Sequence, residues 1–151
     1  MSVSSPLVSY PMVEKLVESE KILVADDDSE LIRYIQSVLE GKGYCVITAK
    51  DGKEAYKLLQ SGQTFSAAIF DVAMPHIGGR ELVDYMKNER RLMKIPVIIM
   101  TAEINFRYPS DSISRGAVAF LPKPFTDVQL TTMLSMFVKP AGHTKHNKEK
   151  V

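Results

Sequence analysis

The sequence predicts an α/β domain: a doubly wound, five-stranded parallel sheet with helices on both faces. Three observations predict it. Apolar runs of strand length at residues 22–25, 67–70, 96–100 and 118–121 carry no polar alternation, and so read as strands buried on both faces. Stretches with apolar residues at helical spacing lie between such runs, the alternation that builds a parallel sheet under right-handed crossovers. The runs also end in polar groups that can do chemistry: Asp26 and Asp27, Asp71, Thr101 and Lys123.

Residues 1–20 form an N-terminal arm, rich in Ser and Pro at first and then amphipathic over 11–19 through Val13, Leu16 and Val17. The first strand ends in Asp26, Asp27 and Asp28. Leu31, Ile32, Ile35, Val38 and Leu39 then share one helical face, with Asp28 or Ser29 as N-cap and Gly41 or Gly43 as terminator. Residues 45–49 make the second strand, where Cys45 reads as a small buried hydrophobe rather than a reactive thiol. Asp51 and Glu54 form a capping-box pair for a helix carrying Ala55, Leu58 and Leu59, which closes near Gly62.

The third strand can hold a carboxylate only where it ends, and Asp71 is there. Pro75 has no amide donor and biases Met74 away from helical geometry, so the chain leaves through a shaped loop before Gly78 and Gly79. Residues 80–88 make a third helix with Leu82, Val83 and Met86 inward. The fourth strand, 96–100, ends in Thr101 and Ala102. Tyr108-Pro109 interrupts the crossover after this strand, so a helix over 105–115 is expected to be short or irregular. The fifth strand, 118–121, leads into Pro122-Lys123-Pro124-Phe125, and Val128, Leu130, Leu134 and Phe137 mark a last helix over 127–137. Residues 139–151 lose the apolar pattern and read as a basic disordered tail.

Composition excludes several classes. A chain of 151 residues, 45% apolar and 25% charged, is one globular domain, and a net charge of +1 exerts no general pull on nucleic acid or acidic membranes. The single cysteine cannot form an internal disulfide, no apolar run is long enough to span a bilayer, and the first residues lack signal-peptide character. A cytoplasmic protein with no membrane insertion and no nucleic-acid partner is expected.

In open parallel sheets, ligands bind outside the carboxyl strand ends where strand order reverses. For the order 2-1-3-4-5 that point lies between the first and third strands, which here end in Asp26, Asp27 and Asp71. Carboxylates gathered in one crevice raise each other's proton affinity unless a cation favours their ionised form. Oxygen-only ligands suit magnesium, and two or three carboxylates plus a backbone carbonyl near Ala73 leave room for a phosphoryl oxygen. Lys123 can supply positive charge to that group and Thr101 a hydroxyl hydrogen bond, with a carboxylate as nucleophile giving an aspartyl phosphate. Each residue also has an ordinary reading: Asp28 or Asp71 as a helix cap, Lys123 as a solvated lysine, Thr101 as a strand end.

Taken together, Lys21-Ile22-Leu23-Val24-Ala25-Asp26-Asp27-Asp28, Phe70-Asp71-Val72-Ala73-Met74-Pro75, Thr101-Ala102 and Leu121-Pro122-Lys123-Pro124-Phe125 closely resemble the response-regulator receiver family of two-component signalling, over residues 21–138. The resemblance implies a flavodoxin-like sheet of order 2-1-3-4-5. It implies a phosphoprotein that takes a phosphoryl group from a histidine kinase or phosphotransfer protein onto Asp71, with Asp26, Asp27, Asp71 and the Ala73 carbonyl holding magnesium. Lys123 is implied as the phosphate-contacting lysine, Thr101 as the switch hydroxyl, Phe120 as the switch aromatic and Gly79 as the glycine opening the third helix. The Lys123-Pro124 bond is implied to be cis. Such a protein signals to a downstream protein by changing shape and catalyses only its own phosphorylation and dephosphorylation. The interruption at Pro109 departs from the family's regular fourth helix and puts in question output through the face built from the fourth helix, fifth strand and fifth helix.

With no output domain in the sequence, the chain reads as a stand-alone receiver or phosphorelay shuttle; a receiver fragment of a hybrid kinase is an alternative. A magnesium-dependent phosphatase of the haloacid-dehalogenase kind is another, since Asp26-Asp27-Asp28 offers its Asp-x-Asp pattern. That reading lacks an inserted cap and leaves Asp71 unexplained. A flavodoxin-type binding module is a third, and its Ser/Thr/Gly-rich phosphate cradle is missing from these loops.

Overall fold

The computed structural model describes residues 19–102, 117 and 119–140. The arm up to residue 18, the interrupted segment 105–115 and the tail from 141 fall outside these described residues. Five strands form one parallel sheet: β1 (Lys21–Ala25), β2 (Cys45–Ala49), β3 (Ala67–Asp71), β4 (Val97–Thr101) and β5 (Ala119–Pro122), in the order β2-β1-β3-β4-β5. The described helices are α1 (Ser29–Gly41), α2 (Gly52–Gln60), α3 (Gly79–Lys87) and α4 (Asp127–Ser135).

The two faces of the sheet arise from the period of a strand, which sends successive side chains to opposite sides. Ile22, Val24, Ile69, Ile98 and Met100 pack with Ile32, Ile35 and Leu39 of α1 and with Leu130 and Leu134 of α4. Leu23, Ala25, Phe70, Val97 and Ile99 point the other way, onto Ala55 and Leu59 of α2 and Leu82, Val83 and Met86 of α3. All of β3 and β4 is buried, which is why their sequences carry no polar alternation. Truncating a fully buried side chain packed on this sheet, as in Leu59→Ala of α2, removes about 2–5 kcal/mol.

Short polar signals start the helices. Asp28 caps α1, its carboxylate accepting from the Glu30 and Leu31 amides at 3.1 and 3.2 Å. In α2 the Asp51 carboxylate accepts from Glu54 N–H at 2.8 Å, while Glu54 reaches back to the amide of Lys50, one residue beyond the N-cap. Thr126 and Gln129 form a reciprocal box on α4, at 3.1 and 2.9 Å, which was not among the sequence expectations.

Several boundaries differ from expectation. Pro96 lies before β4 and contributes only its carbonyl, which accepts from Ala68 N–H, because it has no donor for the ladder. Thr101 and Pro122 are instead the last residues of β4 and β5. Helix α4 stops at Ser135 rather than Phe137, since the Met136 and Phe137 amides bond three residues back in a tighter turn. Cys45 is partly exposed, not buried, because it begins the edge strand β2. Buried Tyr44, just before it, donates its hydroxyl to the Val138 carbonyl at 2.6 Å and fastens the end of the domain to the sheet.

Candidate functional site

The sheet itself brings the acidic residues together. Ala25 pairs with Phe70 in register, so the next residues of β1 and β3, Asp26 and Asp71, stand side by side at the carboxyl edge. Asp71 pairs with Met100 and Thr101 with Pro122, which places the switch candidate on β4 and Lys123 just past β5 along the same edge. The Lys123 amide donates to the Thr101 carbonyl at 2.8 Å, drawing the lysine toward β4. The Lys123-Pro124 bond is cis, as the resemblance implied.

Two glycines let the loops close over this edge. A Cβ on Gly79 would lie 2.5 Å from the Asp71 carbonyl oxygen, so helix α3 can start this close to the end of β3 only without a side chain. A Cβ on Gly52 would lie 1.7 Å from the Ile77 carbonyl oxygen, so the first residue of α2 sits directly against the loop after Asp71.

Lys123 holds the centre. Its ammonium lies 2.8 Å from Asp26 Oδ2 and 2.7 Å from Asp71 Oδ1. The remaining carboxylate oxygens are held by the chain: Asp26 Oδ1 accepts from Asp28 N–H at 2.9 Å and Asp71 Oδ2 from Ala73 N–H at 3.2 Å. Burial pushes the Asp71 carboxyl above its usual range; Lys123 pulls it back through a hydrogen bond, but Asp26 pushes it further, and it stays raised. Burial alone would lower Lys123, yet hydrogen bonds and charge from both carboxylates outweigh it and hold the ammonium above its usual range. One cation shared between two carboxylates is strongly held, while its single charge leaves Asp71 incompletely compensated.

Asp26 and Asp71 are buried and Asp27 is exposed, and one oxygen from each lies within 4.8 Å of the others. That spread is close to the roughly 4.2 Å between opposite ligands of an octahedral magnesium ion. The donors are all oxygen and carry more negative charge than Lys123 neutralises, so the residues fit a hard divalent cation. The contact Ala73 makes here is through its amide. Thr101 is buried, and Phe120 is half-buried against the cluster that lies under α2 and α3. Asp26, Asp27, Asp71, Ala73, Thr101 and Lys123 therefore lie at or beside one edge, whereas Phe120, paired with Ile99, sits two residues back within β5; the double engagement of Lys123 was not foreseen.

The family profile described as the response regulator receiver domain matches residues 22–135. The chain belongs to the response regulator receiver family. Response regulator GtcR of Aneurinibacillus migulanus is 30% identical over 132 residues, 87% of this chain and 53% of that protein. Transcriptional regulatory protein CpxR of Escherichia coli (strain K12) is 34% identical over 119 residues, covering 79% of this chain and 49% of the relative. The chain thus spans about half the length of the curated relatives it matches. Among solved structures, the chemotaxis response regulator CheY4 of Vibrio cholerae superposes with a TM-score of 0.74 at 29% identity, covering 80% of this chain and 99% of CheY4. The response regulator TrrA of Thermotoga maritima, solved in complex with Mg(2+)-BeF, gives 0.69 at 28% identity over 79% of this chain and 99% of TrrA. The receiver has the flavodoxin-like sheet that the resemblance implied, and it is not a phosphatase of the haloacid-dehalogenase kind. No helix among the described residues is long and apolar enough to cross a membrane.

Proposed function

We propose that this receiver accepts a phosphoryl group on Asp71 from a histidine kinase or phosphotransfer protein, and passes the signal to a downstream protein through Thr101 and Phe120. The observation that carries the reading is the ammonium of Lys123 bridging Asp26 and Asp71 at the carboxyl edge. In the transfer, an Asp71 carboxylate oxygen forms the new P–O bond. The donor nitrogen keeps the electron pair of the breaking P–N bond and takes a proton from solvent. Lys123 moves with Asp71 Oδ1 and meets the phosphoryl oxygens, and the Ala73 amide, already aimed at Oδ2, holds the carboxylate in orientation. Magnesium held by Asp26, Asp27 and Asp71, with the Ala73 carbonyl, would neutralise charge between the carboxylates and the incoming group.

The switch has a local cause. A phosphoryl group on Asp71 adds acceptor oxygens beside the buried Thr101 hydroxyl, which turns toward them and leaves space for Phe120. A minor conformation of the resting protein becomes the main one. The chain acts in the cytoplasm by protein docking, without contacting nucleic acid itself; residues 21–138 make the receiver unit.

Incubation with magnesium and acetyl phosphate, followed by intact mass and peptide mapping, tests the reading. One phosphoryl group should appear on Asp71 and none on Asp71→Ala. Thr101→Ala should retain modification but lose the induced NMR shifts around Phe120. An unmodified wild type, or full Phe120 shifts in Thr101→Ala, overturns it.

A further inference from the structure

A second charged surface lies beside the acidic crevice. Lys50, Lys53, Lys57 and His76, together with Asp51 and Glu54, line an open cavity of about 330 Å³. Asp51 and Glu54 are engaged as helix caps, through the Glu54 and Lys50 amides. None of the three lysines forms an ion pair among the described residues, and all three are exposed. Lys53 stands in the first turn of α2, where the helix dipole disfavours a cation, whereas Lys57 stands in the last turn, where it is favoured; the two are like charges one turn apart.

The surface borders the site. Lys50 comes directly after Ala49, whose carbonyl accepts the Asp26 amide at 3.2 Å, and His76 belongs to the loop that leaves Asp71. His76 takes a left-handed backbone, φ 72°, and the Gly52 to Ile77 approach presses its loop against the start of α2. Residues from two loops and a helix are thereby held as one rigid rim. An anionic donor nearing the crevice meets three carboxylates, and the nearest cation, Lys123, is already taken by two of them. Magnesium held there would offset the carboxylates within the crevice itself, and positive charge elsewhere on this edge would add attraction at longer range.

We propose that the rim of Lys50, Lys53, Lys57 and His76 docks an acidic segment of the protein that delivers the phosphoryl group, a role that rests on Asp71 being the acceptor. The rim adds attraction beside the crevice and steers the donor in at an orientation set by charge.

A glutamate-rich dodecapeptide is the probe, titrated into the full chain at low salt with amide NMR shifts as readout. Shifts should concentrate at Lys50, Lys53, Lys57 and His76. The apparent Kd should weaken by about tenfold in Lys53→Glu/Lys57→Glu, and also on raising salt from roughly 20 to 200 mM. Lys53→Ala/Lys57→Ala should fall between that variant and wild type. In parallel, both variants should be phosphorylated by acetyl phosphate within about twofold of wild type, since a small donor needs no steering. Absence of peptide shifts at the rim, or unchanged affinity in the charge-reversed variant, overturns the proposal. Equal or tighter binding of duplex DNA of matched charge overturns it too, by making the rim a general polyanion surface. Failure of acetyl phosphate to modify wild type would instead sink the assignment of Asp71, a result visible without the peptide.

Discussion

Lys123, just past β5, reaches across β4 to Asp71 at the end of β3, with 2.7 Å between Nζ and Oδ1. The same ammonium serves Asp26, so its removal leaves two adjacent carboxylates without a counter-charge. Lys123→Met should cost about 1–3 kcal/mol near neutral pH, less than a fully buried pair because the lysine is partly solvated. Urea unfolding at several pH values checks this: the deficit should narrow in acid as Asp71 takes up its proton.

Asp71→Asn should act in the opposite direction. The folded protein binds the Asp71 proton more tightly than the unfolded chain, whose value is 3.8. Its contribution is therefore fully present below 3.8 and is lost as pH rises through the higher folded value. Asp71→Asn escapes that loss and should be about 1 kcal/mol more stable than wild type near neutrality, with the gap closing below the unfolded value. Thermal or urea unfolding of the two proteins side by side across that pH range decides the sign.

Magnesium should raise the melting temperature of the wild type, because an ion bound only by the folded state stabilises it by mass action. Asp27 is exposed and contributes an oxygen to the acidic group without any role in the core. Asp27→Ala should keep the fold and lose most of the magnesium-dependent shift in a thermal scan. A shift equal to wild type would remove Asp27 from the ligand set.

Gly52→Ala tests how the loop after Asp71 is seated. The new methyl would fall on the Ile77 carbonyl oxygen, which is backbone and cannot swing aside. Overpacking of this kind costs about 1–3 kcal/mol. Amide shifts should extend from Ile77 through Gly79, whereas Gly41→Ala, where the added carbon meets nothing within 4 Å, should leave that loop unchanged.

Tyr44 sets an alkaline limit. Burial, and then the charge of Glu20, push its hydroxyl up to about 12 from 10.0. The folded state keeps that proton while the unfolded chain gives it up, so stability falls as pH climbs between those values. Tyr44→Phe should lose about 1 kcal/mol at neutral pH with the bond to Val138, and its stability should fall less steeply in that alkaline window.

Much of the fold was legible because a parallel sheet writes itself plainly. Residues 67–70 and 97–100 are apolar on both faces, and a carboxylate in such a strand has nowhere to go but its end, so Asp71 could be placed from its neighbours alone. Lys123 was legible as a charge at a strand end, but its contact with Asp26 joins residues 97 apart and depends on sheet order, which no local pattern carries. The approach of Gly52 to Ile77 was hidden for another reason, since a glycine after a capping aspartate looks the same whether or not a backbone presses on it. The Thr126 and Gln129 box did have a signal, a threonine with glutamine three residues later, beside the louder pattern of Pro122 to Phe125.

The sharing of Lys123 also bears on the order in which the molecule assembles. Chains are made from the N-terminus, and β1, which leads to Asp26, and β3, which ends in Asp71, emerge long before the strand that leads to Lys123. Until β5 docks beyond β4, the two carboxylates face each other without the ammonium that holds them, and pairing β1 with β3 works against their repulsion. The last strand thus relieves a charge conflict set up by the first and third. A nascent chain halted before Lys123 keeps that conflict, so the crevice takes its resting form only in a receiver whose sheet has closed to its far edge.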